Sequence, residues 1–180
     1  MRTTLAIVTF PPLCLLLSFF VLLSDPAFTY LLLDEDAHEP TRALLDYFSV
    51  SGAMPGVFDE NEASHLADVK SVIIMGFVAL FFLVFAHTRL TTFDNWRAIT
   101  RWGTLLLACL LIISALIPFD VLFTWFHVVF FPQGNWMFPA QSTLIQYYPA
   151  PFFATYAFAI GIHSLLVAFV LLWLSSLPRH

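Results

Sequence analysis

The stretch Asn61-Glu62-Ala63-Ser64-His65-Leu66-Ala67-Asp68-Val69-Lys70 leads directly into Ser71-Val72-Ile73-Ile74-Met75-Gly76-Phe77-Val78-Ala79-Leu80-Phe81-Phe82-Leu83-Val84-Phe85-Ala86. Its apolar part is long enough to cross a bilayer, because about 20 residues at 1.5 Å each cover roughly 30 Å of hydrocarbon. Its polar part places Glu62, His65 and Asp68 three residues apart. If that segment is helical, successive members are about 60° apart around the axis, so two carboxylates can flank one imidazole. A polar site pattern thus sits at the edge of a membrane span.

The rest of the chain has the same character. It is 60% hydrophobic and only 11% charged, with a mean hydropathy of +0.86, against roughly 25% charged for soluble domains. This composition is that of an all-α membrane protein. Four spans are expected at about 5–23, 71–90, 102–117 and 152–174, with insertions at 25–70 and 118–151, all within a single membrane domain, 1–180. The first span exceeds the apolar core of a signal peptide and is followed by no small-x-small site, so it reads as an uncleaved anchor. Cys14 lacks the preceding small residues of a lipidated cysteine. Cys14 and Cys109 both fall in spans and read as buried thiols.

Orientation follows the basic residues. With both termini cytoplasmic, Arg2, Arg89, Arg97, Arg101 and Arg179 lie inside, and Arg42 and Lys70 outside. All of the 12 carboxylates except Asp94 then fall outside. Such acidic external loops would not seek nucleic acid.

The first insertion is expected to form an extracytoplasmic flap between helices 1 and 2, with an amphipathic helix over 40–48 and turns at Gly52 and Pro55-Gly56. In the second, the aromatic run 119–131 is too short to span and suits an interfacial helix between helices 3 and 4. Asp120, Phe123 and His127 share one face of it. Pro132-Gln133-Gly134-Asn135-Trp136 reads as a turn, and Trp136, Tyr147 and Tyr148 suit headgroup depth.

On this topology Glu62, His65 and Asp68 occupy the same outer interface as Asp120 and His127. A carboxylate beside an imidazole sets its tautomer and raises its basicity. Two rings about 4 to 8 Å apart could act on one carbonyl. His127 gains nothing from burial among aromatics and needs a partner. His163, near the middle of the fourth span, reads as a neutral ring bonded to a neighbouring helix, through Ser164 or Tyr156. His87 and His180 read as boundary residues, and His38 as a flap residue without a role. A single Glu-x-x-His falls short of the repeated motif of di-iron bundles, and no Gly-x-Ser-x-Gly elbow or phosphate-binding glycine loop occurs. No cofactor is expected.

At these residues the chain resembles the DUF1461 family of integral membrane proteins, which includes the lipoprotein intramolecular transacylases (Lit). The resemblance is carried by residues 58–62, Ser64, His65, Asp68, Val69 and Lys70. A second block adds Phe119-Asp120, Phe123, Phe126-His127, Phe130-Phe131, Asn135-Trp136, Leu144-Ile145, Pro149 and Phe152-Phe153. It implies transfer of the sn-2 acyl chain of a diacylglyceryl-modified lipoprotein cysteine to that cysteine's α-amino group, giving the lyso-form. It also implies that His65 and His127 are essential, with Asp68 or Glu62 orienting the nearer ring. Asp120, Phe123, Phe130, Asn135 and Trp136 are then expected to bind substrate, and the partners are diacylglyceryl lipoproteins and membrane lipid. The site is expected on the extracytoplasmic face of the cell membrane. The rival reading is a non-enzymatic membrane partner, or a metal-binding protein, acting through the acidic flap.

Overall fold

The computed structural model describes residues 1–49 and 52–178, and it is helical throughout these, with no strand. Arg179 and His180, read above as cytoplasmic-end residues, lie outside the described residues. Four helices are long and apolar enough to cross a membrane: α1 (Arg2–Leu23), α4 (Glu60–Leu90), α5 (Trp96–Ala115) and α8 (Ala150–Ser176). Between them lie the short α2 (Pro26–Tyr30) and α3 (His38–Phe48), the aromatic α6 (Phe119–Phe130) and the five-residue α7 (Thr143–Tyr147).

Two helices begin well before their apolar runs. Asp59 Oδ1 accepts the Glu62 N–H at 2.9 Å, and Glu62 Oε2 accepts the Asp59 N–H at 2.9 Å. This reciprocal capping box satisfies two donors that a helix start leaves open, so α4 starts at Glu60 and not near Ser71. Its 31 residues make it about 46 Å long, more than the hydrocarbon needs, and residues 60–70 form a polar extension ahead of the apolar run 71–90. Helix α5 starts at Trp96 and not at Trp102. Asn95 closes the preceding turn by accepting from the Thr92 N–H and donating to the Leu90 carbonyl. Hydropathy marks only the apolar part of each helix, so each helix begins before the span expected from the sequence.

The contacts divide the chain into two units, the first made of Met1–Val21, Gly76–Pro118 and Phe158–His180. Its core is Ala6, Phe10, Cys14, Ile99, Leu107 and Ala168. Interhelical polar pairs accompany it. Thr100 Oγ1 meets Ser175 Oγ at 2.9 Å, and Arg97 donates to the carbonyls of Ser175 and Ser176 at the end of α8. His163 Nδ1 meets Ser18 Oγ on α1 at 3.0 Å; the ring is tied to a neighbouring helix as expected, but through Ser18 rather than Ser164 or Tyr156. His87 is no mere boundary residue, being 9% exposed, with its Nε2 2.9 Å from Thr9 Oγ1. Cys14 is a buried free thiol, whereas Cys109 is free but exposed.

The second unit comprises Leu22–Met75 and Phe119–Ala157. Its core is Leu44, Phe58, Leu66, Leu144 and Tyr148, which draws α3, the start of α4 and α7 together. The flap helix α3 is pinned by Thr41 Oγ1 to the Tyr148 hydroxyl at 2.8 Å. Lys70 donates to the Tyr47 carbonyl at 2.6 Å and lies 4.3 Å from the Tyr47 ring centroid. His38 stacks on Tyr30 and bonds its carbonyl.

In the first unit α5 meets α1 at Gly103, where an added Cβ would come within 2.5 Å of the Phe10 ring. Small residues let membrane helices approach this closely. Gly103→Ala should therefore destabilise by about 1–3 kcal/mol, the usual effect of overpacking. Thermal unfolding in detergent checks this, and an unchanged midpoint would contradict the close packing.

Candidate active site

The two histidines read from the sequence meet. The ring centroids of His65, on the polar extension of α4, and His127, on α6, are 6.0 Å apart and 29° from parallel. They are 6% and 7% exposed. Phe131 turns its ring to both, at 4.8 Å from His65 and 5.4 Å from His127. Phe123 lies 4.1 Å and Trp136 4.8 Å from His127, and Phe138 lies 5.6 Å from His65. The two imidazoles share an aromatic wall.

A hydrogen bond fixes the tautomer of His127. His127 Nδ1 is 2.7 Å from the Phe123 carbonyl, which can only accept, so Nδ1 carries the proton and Nε2 keeps its lone pair. For His65 the link is indirect. Asp68 Oδ2 accepts from Asn135 Nδ2 at 2.7 Å and from Gln133 Nε2 at 2.8 Å. With its nitrogen committed to Asp68, Asn135 is left with Oδ1, which is buried without a hydrogen-bond partner, as is His65 Nδ1. The two orphaned atoms make no formed bond, yet Asn135 is close enough to favour the protonated ring. His65 Nδ1 thus carries no hydrogen bond that would set the tautomer of this ring.

Burial dominates the electrostatics. It pushes His65 down from 6.5 to about 4, helped by His127 and opposed by Asp68 and Asn135. Burial also lowers His127, against the Phe123 carbonyl. Both rings are neutral at pH 7, each offering one nitrogen lone pair, which on His127 is at Nε2.

Glu62 does not flank His65 as its spacing suggested. Its carboxylate, 1% exposed, is taken up by the Asp59 N–H and, from Oε1, by the Leu144 N–H at 2.8 Å. Asp68 is not a solvated surface carboxylate but the acceptor of two side-chain amides. Asp120 is exposed on the first turn of α6, where a carboxylate suits the helix N-terminus. Phe130 packs on Phe126, stays 45% exposed and is not part of the wall. Sequence reading missed Gln133, Phe131 and Phe138 as site residues. Gln133 and Asn135 flank Gly134, whose φ of 80° favours glycine, and this turn brings both amides to Asp68. Among the described residues no three His, Cys, Asp or Glu side chains converge as a metal-ligating set.

Long apolar helices and a buried pair of imidazoles among the described residues define the class, a helical membrane protein. The family described as lipoprotein intramolecular transacylase Lit matches residues 5–153, and the chain belongs to it; DUF1461 is its older label. It is therefore a membrane transferase of the intramolecular transacylase type. The fold is similar to the in meso structure of the membrane-integral lipoprotein intramolecular transacylase Lit from Bacillus cereus. The TM-score is 0.80 at 17% identity, over 96% of this chain and 92% of that one. No curated protein matches the chain.

The depressed histidines make a pH prediction. In the unfolded chain both titrate near 6.5, whereas in the folded chain they hold fewer protons until well below that. Acidification from pH 6.5 towards 4 thus loads the unfolded state first, and stability should fall across that window. In NMR titrations of the imidazole resonances the His65 midpoint should lie near pH 4, and a midpoint at 6.5 or above would contradict the buried neutral pair.

Proposed function

We propose that the stacked neutral imidazoles of His65 and His127 move the sn-2 acyl chain of a diacylglyceryl-modified N-terminal cysteine onto that cysteine's own α-amino group. The observation that carries this reading is a pair of buried imidazoles 6.0 Å apart in one aromatic hollow. Both reacting groups belong to one substrate, so no external acyl donor is needed.

The protonation states suggest the order of events. An α-amino group has a pKa of about 7.7 to 8.0, so roughly a tenth of it is neutral at pH 7. Direct deprotonation of the ammonium by His65, at about 4, would be uphill by about four units, roughly 5 kcal/mol. The neutral amine is therefore the entering form. His65 accepts one of its N–H groups on its lone-pair nitrogen and turns the amine lone pair toward the ester carbonyl. As the N–C bond forms, the nitrogen becomes strongly acidic, and His127 Nε2 takes its proton. The Phe123 carbonyl on Nδ1 favours that imidazolium, which then faces the tetrahedral oxyanion. When the C–O bond breaks, the same proton passes to the departing sn-2 oxygen. One amide and one alcohol are formed, one ester and one amine consumed, and no net proton is exchanged. The aromatic wall keeps water from competing with the amine.

Asp68 holds Asn135 and Gln133 to the helix that carries His65, and Glu62 fixes the segment that carries the wall. Phe123 and Trp136 lie against His127 and would contact the ester region. In this reading the protein is embedded in the cell membrane with four spans and cytoplasmic termini, and the site is on the extracytoplasmic face, at the depth of lipid ester groups.

Mass spectrometry of N-terminal lipopeptides from cells expressing the chain should show one acyl group gone from glycerol and one gained on nitrogen. His127→Ala and His65→Ala should each lower that conversion by about a hundredfold or more. With purified enzyme, kcat/KM should rise with pH through the amine pKa near 8 and show no acid limb at 6.5. Full activity of either variant would remove that ring from the mechanism.

A further inference from the structure

Beside the histidines lies a cavity of about 490 Å³ whose lining includes Asp59, Asn61, Asn135, Phe138 and Gln141. The volume is in the range of small-ligand sites, and the proposed reaction at the two rings does not use it. Two of its residues belong to both places. Phe138 also packs against His65, and Asn135 reaches Asp68 and leaves a buried Oδ1 without a partner.

The chemistry of the lining selects its ligand. Asn61 and Gln141 are exposed side-chain amides, each with both a donor and an acceptor end, as suits the alternating N–H and C=O groups of an extended peptide. The lining has no Lys or Arg to receive a phosphate headgroup, and the Asp59 carboxylate would repel one. Alongside the apolar Met137, Phe138 and Pro139, the amides and the Asp59 carboxylate give the cavity polar groups that an acyl chain would leave unpaired. A substrate with its α-amino nitrogen at the imidazoles must lead its following residues away from the aromatic wall, and Asn135 and Phe138 connect that wall to the cavity.

We infer that this cavity is the subsite for the peptide main chain immediately after the modified cysteine, and that Asp59 selects there against acidic residues. The inference rests on the transacylase reading. Asp59 is exposed, so its effect is a screened, salt-dependent bias rather than a lock. The amides read backbone, so neutral side chains are accepted alike.

The test uses the full-length chain in lipid nanodiscs with synthetic S-diacylglyceryl-cysteine amide, alone or followed by Ser-Asn-Ala-Ala or by Asp-Asp-Ala-Ala. For the wild type, kcat/KM for the Ser-Asn peptide should exceed that for the lone cysteine by about tenfold. The double variant Asn61→Ala/Gln141→Ala should bring this ratio towards one. The Asp-Asp peptide should react several-fold more slowly than the Ser-Asn peptide at low salt, and Asp59→Asn should close that gap. Asparagine serves equally well at a helix N-cap, so this variant removes charge without removing the cap. Equal kcat/KM for short and long substrates in the wild type, or an unchanged ratio in the double variant, would overturn the subsite and leave the transacylase reading standing. Conversion of none of the substrates would overturn that reading and the subsite with it.

Discussion

A carboxylate with 1% of its surface exposed cannot be left without partners, and Glu62 spends its two oxygens on backbone. One bond closes the start of α4, and the other holds the first turns of α7. Breaking such a buried arrangement costs far more than an exposed hydrogen bond, because the lone charge would stay desolvated. The connection matters because the chain between α6 and α7 carries Phe131, Gln133, Asn135, Trp136 and Phe138. The Leu144 anchor fixes the far end of this segment, and Asp68 holds Gln133 and Asn135 to the helix that carries His65. Glu62 is thus a positioning residue, separating the fixing of the wall from the chemistry inside it.

Asp68 takes up the next level of the same design. A free carboxylate against His65 would raise the ring's basicity and draw a proton into the hollow. Here two side-chain amides share one of its oxygens, and its influence passes through Asn135 as well as through space. Desolvation then wins, and the ring stays neutral. The pair needs that outcome, because two neighbouring imidazolium ions in an apolar hollow would repel each other and neither could accept the amine proton. The coupling of His65 to His127 works in the same direction, so the site carries at most one proton at a time.

How far the sequence reveals this depends on the range of each interaction. The long apolar helices were legible because hydropathy is local, and so was the meeting of His65 with His127. Spacing showed that Glu62, His65 and Asp68 share a helix face, but it could not show that a backbone amide 82 positions away would claim Glu62. Gln133 looked like a turn residue because its partner, Asp68, lies 65 positions away. Helix α7, with five residues, is too short for periodicity to mark. Helices α4 and α5 begin ahead of their apolar runs, α4 at a capping box that hydropathy does not register.

The substrate imposes opposing demands that explain why the polar extension of α4 exists. An ester carbonyl reacts with an amine in preference to water only where water is scarce, yet the amine belongs to a peptide whose other amides need polar partners. A helix ending at the hydrocarbon boundary could serve only the first demand. By continuing for three turns beyond residue 71, α4 presents His65 to an aromatic wall on one side and, at its capped start, Asp59 and Asn61 to a polar cavity. Asn135 stands between them, its nitrogen committed to Asp68 and its oxygen without a partner. In the proposed reading, it is beside this side chain that a lipid-bearing peptide passes from the dry environment to the wet one.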